Sequence, residues 1–250
     1  MHLLTRFIFR FDFKMCPKFI NGPGTAFSIL QSSKEGFWEK FSESPTHRLI
    51  TANFSSSDQY REITIDPMNI NGNVEYMAGI DFAALEKDAS FQELDKLSNA
   101  LLKEYEITQL KRAGIRFFLV GQSPVAEGEK LKKLTDNLSE TLRESVTSQL
   151  GDITDLGVLI EGQGKDAICY RATFGIHFAE DIEKFLYHKR RPKNIDQFVE
   201  KGFNFSCDLD FYEKDLSFAE FTLSKWSKTK IRKAKSFVDK MPQIMAGGEG

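Results

Sequence analysis

The 250-residue sequence predicts an α+β fold made from two copies of a β-α-β-β-β-α unit, with antiparallel sheet and helices packed on one face. Three observations carry this. Ile80-Asp81-Phe82, Glu86-Lys87-Asp88, Ser90-Phe91 and Glu93 recur in the same order as Leu209-Asp210-Phe211, Glu213-Lys214-Asp215, Ser217-Phe218 and Glu220, the offset drifting only from 129 to 127. Phe7, Phe9, Phe11 and Phe13 alternate with residues that become charged (Arg10, Asp12, Lys14), a period of two that packs one face of a strand and wets the other. Leucines recur at helical spacing over Phe91 to Ile107 and Glu127 to Leu150.

In chain order, the first strand is Phe7 to Lys14, ended by Pro17 and the run Asn21-Gly22-Pro23-Gly24. Residues 25–41 read as a helix, then Arg48 to Phe54 and Tyr60 to Asp66 as strands. Asn71-Gly72-Asn73 reads as a hairpin turn before a strand from Val74 to Phe82. Phe91 to Ile107 is a helix with Leu94, Leu97 and Leu101 on one stripe, and both this helix and the last are expected to start at a capping Ser followed by Phe. The second half gives a strand from Gly114 to Gly121 and a helix from Glu127 to Leu150, with Leu131, Leu134, Leu138 and Leu142 in register. Strands follow at Leu156 to Gly162 and Ala167 to Phe178, then an insertion over 179–201, a strand from Phe203 to Tyr212 and a helix from Ser217 to Met241. The division is therefore 1–112 and 113–242 for the two repeats, with a flexible tail at 243–250. The element order is like that of the TATA-binding-protein and helix-grip folds, by analogy of topology alone.

Composition excludes several classes. A net charge of −2 argues against a globally basic nucleic-acid binder. Cys16, Cys169 and Cys207 are odd in number and in no CxxC spacing, which fits a reducing, cytoplasmic setting and gives no metal knuckle. No uncharged apolar run is long enough for a membrane span, and no signal peptide is expected. The 23 Phe residues fill the layer between sheet and helices or, alternatively, line a cavity for an apolar ligand. No Gly-x-Ser-x-Gly, phosphate loop or Cys–His pair is present, so the reading leans away from an enzyme and calls for no cofactor.

If the Phe faces meet the helices, the opposite face carries Arg10, Asp12, Lys14, Glu62, Thr64, Arg116, Arg171, Thr173, His177, Asn204, Ser206, Asp208 and Asp210. Of these, Arg10, Arg116, Arg171, Thr173, Asp208 and Asp210 form the candidate binding set, suited to hydrogen bonding a polar partner. The plainer alternative is a solvated face held by cross-strand ion pairs such as Arg10 with Asp208 or Asp210. Asp208 and Asp210, at i and i+2 and about 6–7 Å apart on one side of a strand, also make a weak candidate metal pair for a hydrolase or nuclease. A nucleic-acid reading rests on Lys189, Arg190 and Arg191 in the basic loop 188–193, and on the helical stripe Lys225, Lys228, Arg232 and Lys235.

Arg112-Ala113-Gly114-Ile115-Arg116-Phe117, the strand Phe203 to Asp210 with its Asp-Leu-Asp, and the terminal helix after it together resemble a family of uncharacterised, sporadically distributed prokaryotic proteins of about this length. That family's mid-chain signature is Arg-x-Gly-Leu-Arg-Tyr and its late strand carries Asp-Ile-Asp. The Pro-containing entry to the first strand, and the Asn that usually follows the signature, are missing here. The resemblance supports the fold, carries no established activity, and through the family's patchy distribution implies a role in bacterial conflict such as antiviral defence. The leading expectation is a non-catalytic cytoplasmic protein that recognises a protein partner, or a second copy of itself, through the polar sheet face and the insertion.

Overall fold

The computed structural model describes residues 2–44, 46, 48–122, 140–150, 157–164, 166–176, 198, 202–218 and 221–245. Its framework is one antiparallel sheet, nine-stranded among these residues: β1 (His2–Asp12), β2 (Lys40–Ser44), β3 (Leu49–Ser55), β4 (Gln59–Asp66), β5 (Asn69–Asp81), β6 (Gln109–Gly121), β7 (Gly157–Gln163), β8 (Cys169–Ile176) and β9 (Phe205–Ser217). The spatial order is β2-β3-β4-β5-β1-β6-β9-β8-β7. The central pair is β1 with β6, so both halves of the chain share one sheet. The boundary expected between 112 and 113 falls inside β6.

The alternation in β1 has the expected cause. Phe7, Phe9 and Phe11 are fully buried, as are Ile115, Phe117 and Leu119 on β6. The described helices are α1 (Pro17–Asn21), α2 (Pro23–Gln31), α3 (Ala89–Glu104), α4 (Glu140–Leu150) and α5 (Leu223–Met245). Phenylalanines from the sheet meet rings of the helical layer edge-on. Phe7 meets Phe91 at 5.6 Å, Phe82 meets Phe117 at 5.2 Å, and Phe174 meets Phe237 at 5.6 Å. The two long helices touch through a hydrogen bond from the Ser224 backbone N–H to Asp95 Oδ1 (3.1 Å). These phenylalanines fill the layer between sheet and helices, while Phe198 and Phe203 belong to a separate cluster.

Several expectations need correction. The helix read over 25–41 starts earlier and is shorter: α2 runs Pro23–Gln31 behind the five-residue α1, each with Pro in its first turn, and the sheet gains the edge strand β2. Asn71-Gly72-Asn73 is not a turn. It lies inside β5, and the chain reverses at Pro67-Met68, where Asp66 Oδ1 accepts from the N–H groups of Met68 (2.7 Å) and Asn69 (2.9 Å). Gly72 is needed in the strand because the Phe9 ring occupies the place its side chain would take: a Cβ there would lie 2.1 Å from the ring.

The matched segments also sit differently from what their sequences imply. Ile80-Asp81 closes β5, a 3₁₀ turn spans Phe82–Lys87, and α3 is capped by Asp88, not by Ser90. Asp88 Oδ1 accepts from the N–H groups of Ser90 and Phe91, each at 3.0 Å, and from the Tyr76 hydroxyl at 2.6 Å. Leu209-Asp210-Phe211 instead lies mid-strand, and β9 runs on to Ser217, with α5 starting only at Leu223. In the register, Ser217 pairs with Gln109 on β6, whereas Asp81, the last residue of β5, pairs with Leu3 on β1. The first part of the helix expected over 127–150, most of the insertion 179–201 and the tail 246–250 lie outside the described residues.

Candidate binding site

With one face of the sheet under helices, the register fixes what the other face presents. One row reads Asn73, Ile8, Arg116, Asp210, Arg171 and Glu161 across β5, β1, β6, β9, β8 and β7, so charge alternates over the last four. The next row toward the C-terminal end of β1 reads Asn71, Arg10, Gly114, Tyr212 and Cys169. Gly114 opens a depression of about 260 Å³ lined by Ile8, Arg10, Asn71, Arg112, Arg116 and Asp210. A Cβ at Gly114 would make only ordinary contacts, the nearest at 3.7 Å, so the glycine leaves room and relieves no clash.

The arginines around this depression are held in place. Arg116 forms a fork with Asp208, Nε donating to Oδ1 at 2.7 Å and Nη2 to Oδ2, while its guanidinium stands 4.8 Å over Phe118. These hydrogen bonds, more than the burial that opposes them, hold the Arg116 pKa above its ordinary value. Arg112 Nη2 donates to Asp210 Oδ2 at 3.2 Å and stacks 4.5 Å over Tyr212. Arg171 reaches Glu161 at 3.3 Å. Above this row Arg6 donates from Nε to Asn73 Oδ1 at 2.7 Å, beside the buried Glu75. Stacking and bidentate pairing fix rotamers in advance, which cuts the entropy lost when such a surface binds.

Of the six residues expected here, Arg116, Asp208, Asp210 and Arg171 come together, Thr173 stands opposite Asp208 in the register, and Arg10 lines the depression. Arg10 does not pair with Asp208 or Asp210; its Nε donates to Asp12 Oδ1 on its own strand at 2.7 Å. Ser206, expected on the open face, is buried, because Leu3, Val120, Phe198 and Phe203 form an apolar cluster over that end of the sheet. His177 lies outside the described residues. The residue missed in sequence is Arg112. Once the strand is started at Gln109, the spacing Arg112-x-Gly114-x-Arg116 puts both guanidinia on one face with the gap between them.

Asp208 and Asp210 each meet a guanidinium, and no cluster of three or more metal-ligating groups occurs among the described residues. Burial, the largest influence, raises the Asp210 pKa from its ordinary 3.8, with Asp208 adding to this and Arg112 and Arg116 opposing it. The folded protein therefore binds a proton at this site more readily than the unfolded chain. Its contribution to stability is complete below pH 3.8 and is lost as pH rises through the folded-state pKa. Asp210→Asn removes this dependence, so between pH 3 and 6 its urea midpoint is expected to gain on wild type as pH rises. A constant gap would contradict the burial argument.

On α5, in the helical layer, Lys225, Lys228, Arg232 and Lys235 are exposed as expected. Lys189, Arg190 and Arg191 lie outside the described residues. Two neighbouring lysines are engaged: Lys233 pairs with Asp166 at 2.9 Å, and Lys230 is buried against Glu213. Among the described residues no helix is long and apolar enough to cross a membrane. Comparison with protein-family models, curated proteins and solved structures gives no match to this chain.

Proposed function

We propose that the chain is a non-catalytic binding protein that recognises a protein partner through the open polar face of its sheet. The observation that supports this reading is the depression at Gly114, ringed by Arg10, Arg112 and Arg116, two of whose guanidinia are already fixed by carboxylates and rings. Pre-fixed arginines around a small recess are the kind of group that concentrates binding energy at interfaces. The same proposal treats the two halves as copies of one unit in an arrangement of the TATA-binding-protein or helix-grip kind. In its favour, the first and last strands of each half pair, β1 with β5 and β6 with β9, and the first strands join the halves.

A second reading, nucleic-acid binding, is supported by the four exposed cations of α5. The two readings use opposite sides of the sheet, so one experiment separates them. Affinity capture from native cells with the tagged full chain, with and without nuclease, is run beside Arg116→Glu and Lys228→Glu/Arg232→Glu. The proposal expects a stoichiometric protein that survives nuclease, is lost at least ten-fold with Arg116→Glu and is retained with the helix variant. Capture that disappears with nuclease, falls steeply with salt and follows the helix variant would overturn it.

A further inference from the structure

Beside the Gly114 depression, and sharing Arg10 with it, a groove of about 640 Å³ runs across the end of the sheet where β1 and β4 stop. Two features single it out. Of the four large apolar side chains strongly exposed among the described residues, two are here: Met15 (61%) and Met68 (44%). They are anchored, since Phe13 N–H donates to Met68 O at 2.9 Å and Cys16 N–H to Pro67 O at 2.8 Å, tying the end of β1 to the β4–β5 turn. The charges along the groove are unevenly matched. Asp66 is engaged by the N–H groups of its own turn and Asp12 by Arg10, whereas Arg48 and Lys111 make no ion pair with a described residue.

We infer that this groove docks an acidic peptide segment with apolar anchors, supplied by the protein partner. The inference rests on the binding-protein reading above and names the chemistry of the partner. Methionine side chains adapt to apolar groups of varied shape, which suits a peptide anchor. The exposed apolar groups are thioethers and not aromatic rings, so the groove offers no platform on which nucleic-acid bases would stack. Arg48 precedes β3 and Lys111 lies on β6, four strand spacings away, which is on the order of 19 Å along the sheet. About six extended residues span that backbone distance, with carboxylates at the two ends for the two cations and apolar side chains between. Arg10 lines both the groove and the depression, so the two lie side by side.

The test uses the full-length chain and three labelled 12-residue peptides in fluorescence anisotropy. One alternates Leu with Glu, one has Lys in place of Glu, and one has Ser in place of Leu. The Leu/Glu peptide should bind at least ten-fold tighter than the other two, and Arg48→Glu/Lys111→Glu should weaken it at least ten-fold without changing the thermal midpoint. Equal binding of the three peptides, no binding of the Leu/Glu peptide, binding indifferent to the charge reversal, or displacement of the peptide by a single-stranded RNA of 20 nucleotides would overturn the inference. Capture from native cells separates its failure from that of the broader reading. A partner lost with Arg116→Glu but kept with Arg48→Glu/Lys111→Glu overturns the groove alone, and a partner kept with both overturns the two together.

Discussion

Gly72→Val is expected to destabilise the protein by about 3 kcal/mol, the upper part of the range for overpacked cores. Gly72 pairs with Phe9 on β1 and with Ile63 on β4, and both of those side chains are fully buried. The Phe9 ring lies over the glycine, with its Cε1 and Cζ atoms 2.1 and 2.5 Å from where a Cβ would stand. It has little room to retreat, since the Phe11 ring is 5.1 Å away on the same strand. Interiors packed to this density transmit such an insertion to backbone and neighbours. The cause is steric, so a smaller ring-site residue should offset it: Gly72→Ala with Phe9→Leu should recover part of the loss seen in Gly72→Ala alone. Urea denaturation of wild type, Gly72→Ala, Phe9→Leu and the double variant checks this, and additive losses in the double variant would place the cost elsewhere.

Lys230→Ala is the second large effect, expected at about 3 kcal/mol from breaking a buried ion pair. Lys230 is 3% exposed although it lies on a helix otherwise lined with solvated lysines. Its Nζ donates to Glu213 Oε1 and, at 3.0 Å, to the carbonyl of Trp226, and stands 4.2 Å from the Trp226 ring centroid. Truncation removes the stem packing and leaves Glu213 without its cation. Replacing both partners, Lys230→Met with Glu213→Leu, should restore most of the stability, because neither charge is then left unpaired. If the double variant is no better than Lys230→Ala, the ammonium matters for more than pairing Glu213.

What the sequence made legible was the period of each element. Phe7 to Phe13 placed the core face of β1, Ile63 and Ile65 did the same for β4, and the leucines of α3 marked the stripe that is buried. Alternation alone carries Arg116, Asp208, Asp210 and Arg171 to one face. The misses came where a tertiary contact overrode a local signal. Asn71-Gly72-Asn73 has turn chemistry, but the glycine serves a ring on another strand. Ser217 has capping chemistry, but pairing with Gln109 keeps it in β9. Ser206 has the parity of the open face, but Leu3 and Val120 from other strands join Phe198 and Phe203 in an apolar cluster there. Lys230 reads as one more surface cation until β9 brings Glu213 beneath it. Arg112 was hidden by a strand boundary set five residues late, at Gly114 instead of Gln109, which is the commonest kind of error when pairing partners are unknown.

On the proposed function, the fixed arginines around Gly114 serve recognition more than folding. Arg116 and Asp208 are partly exposed, and exposed pairs of this kind contribute about 1 kcal/mol or less to stability. The most direct measurement is therefore made on one variant twice: Arg116→Ala, for its thermal midpoint and for capture of the partner from native cells. The account expects a midpoint within a few degrees of wild type and capture reduced at least ten-fold. A large fall in midpoint with capture undiminished would contradict it, and would make the charged rows across β6, β9, β8 and β7 a device for holding the sheet together.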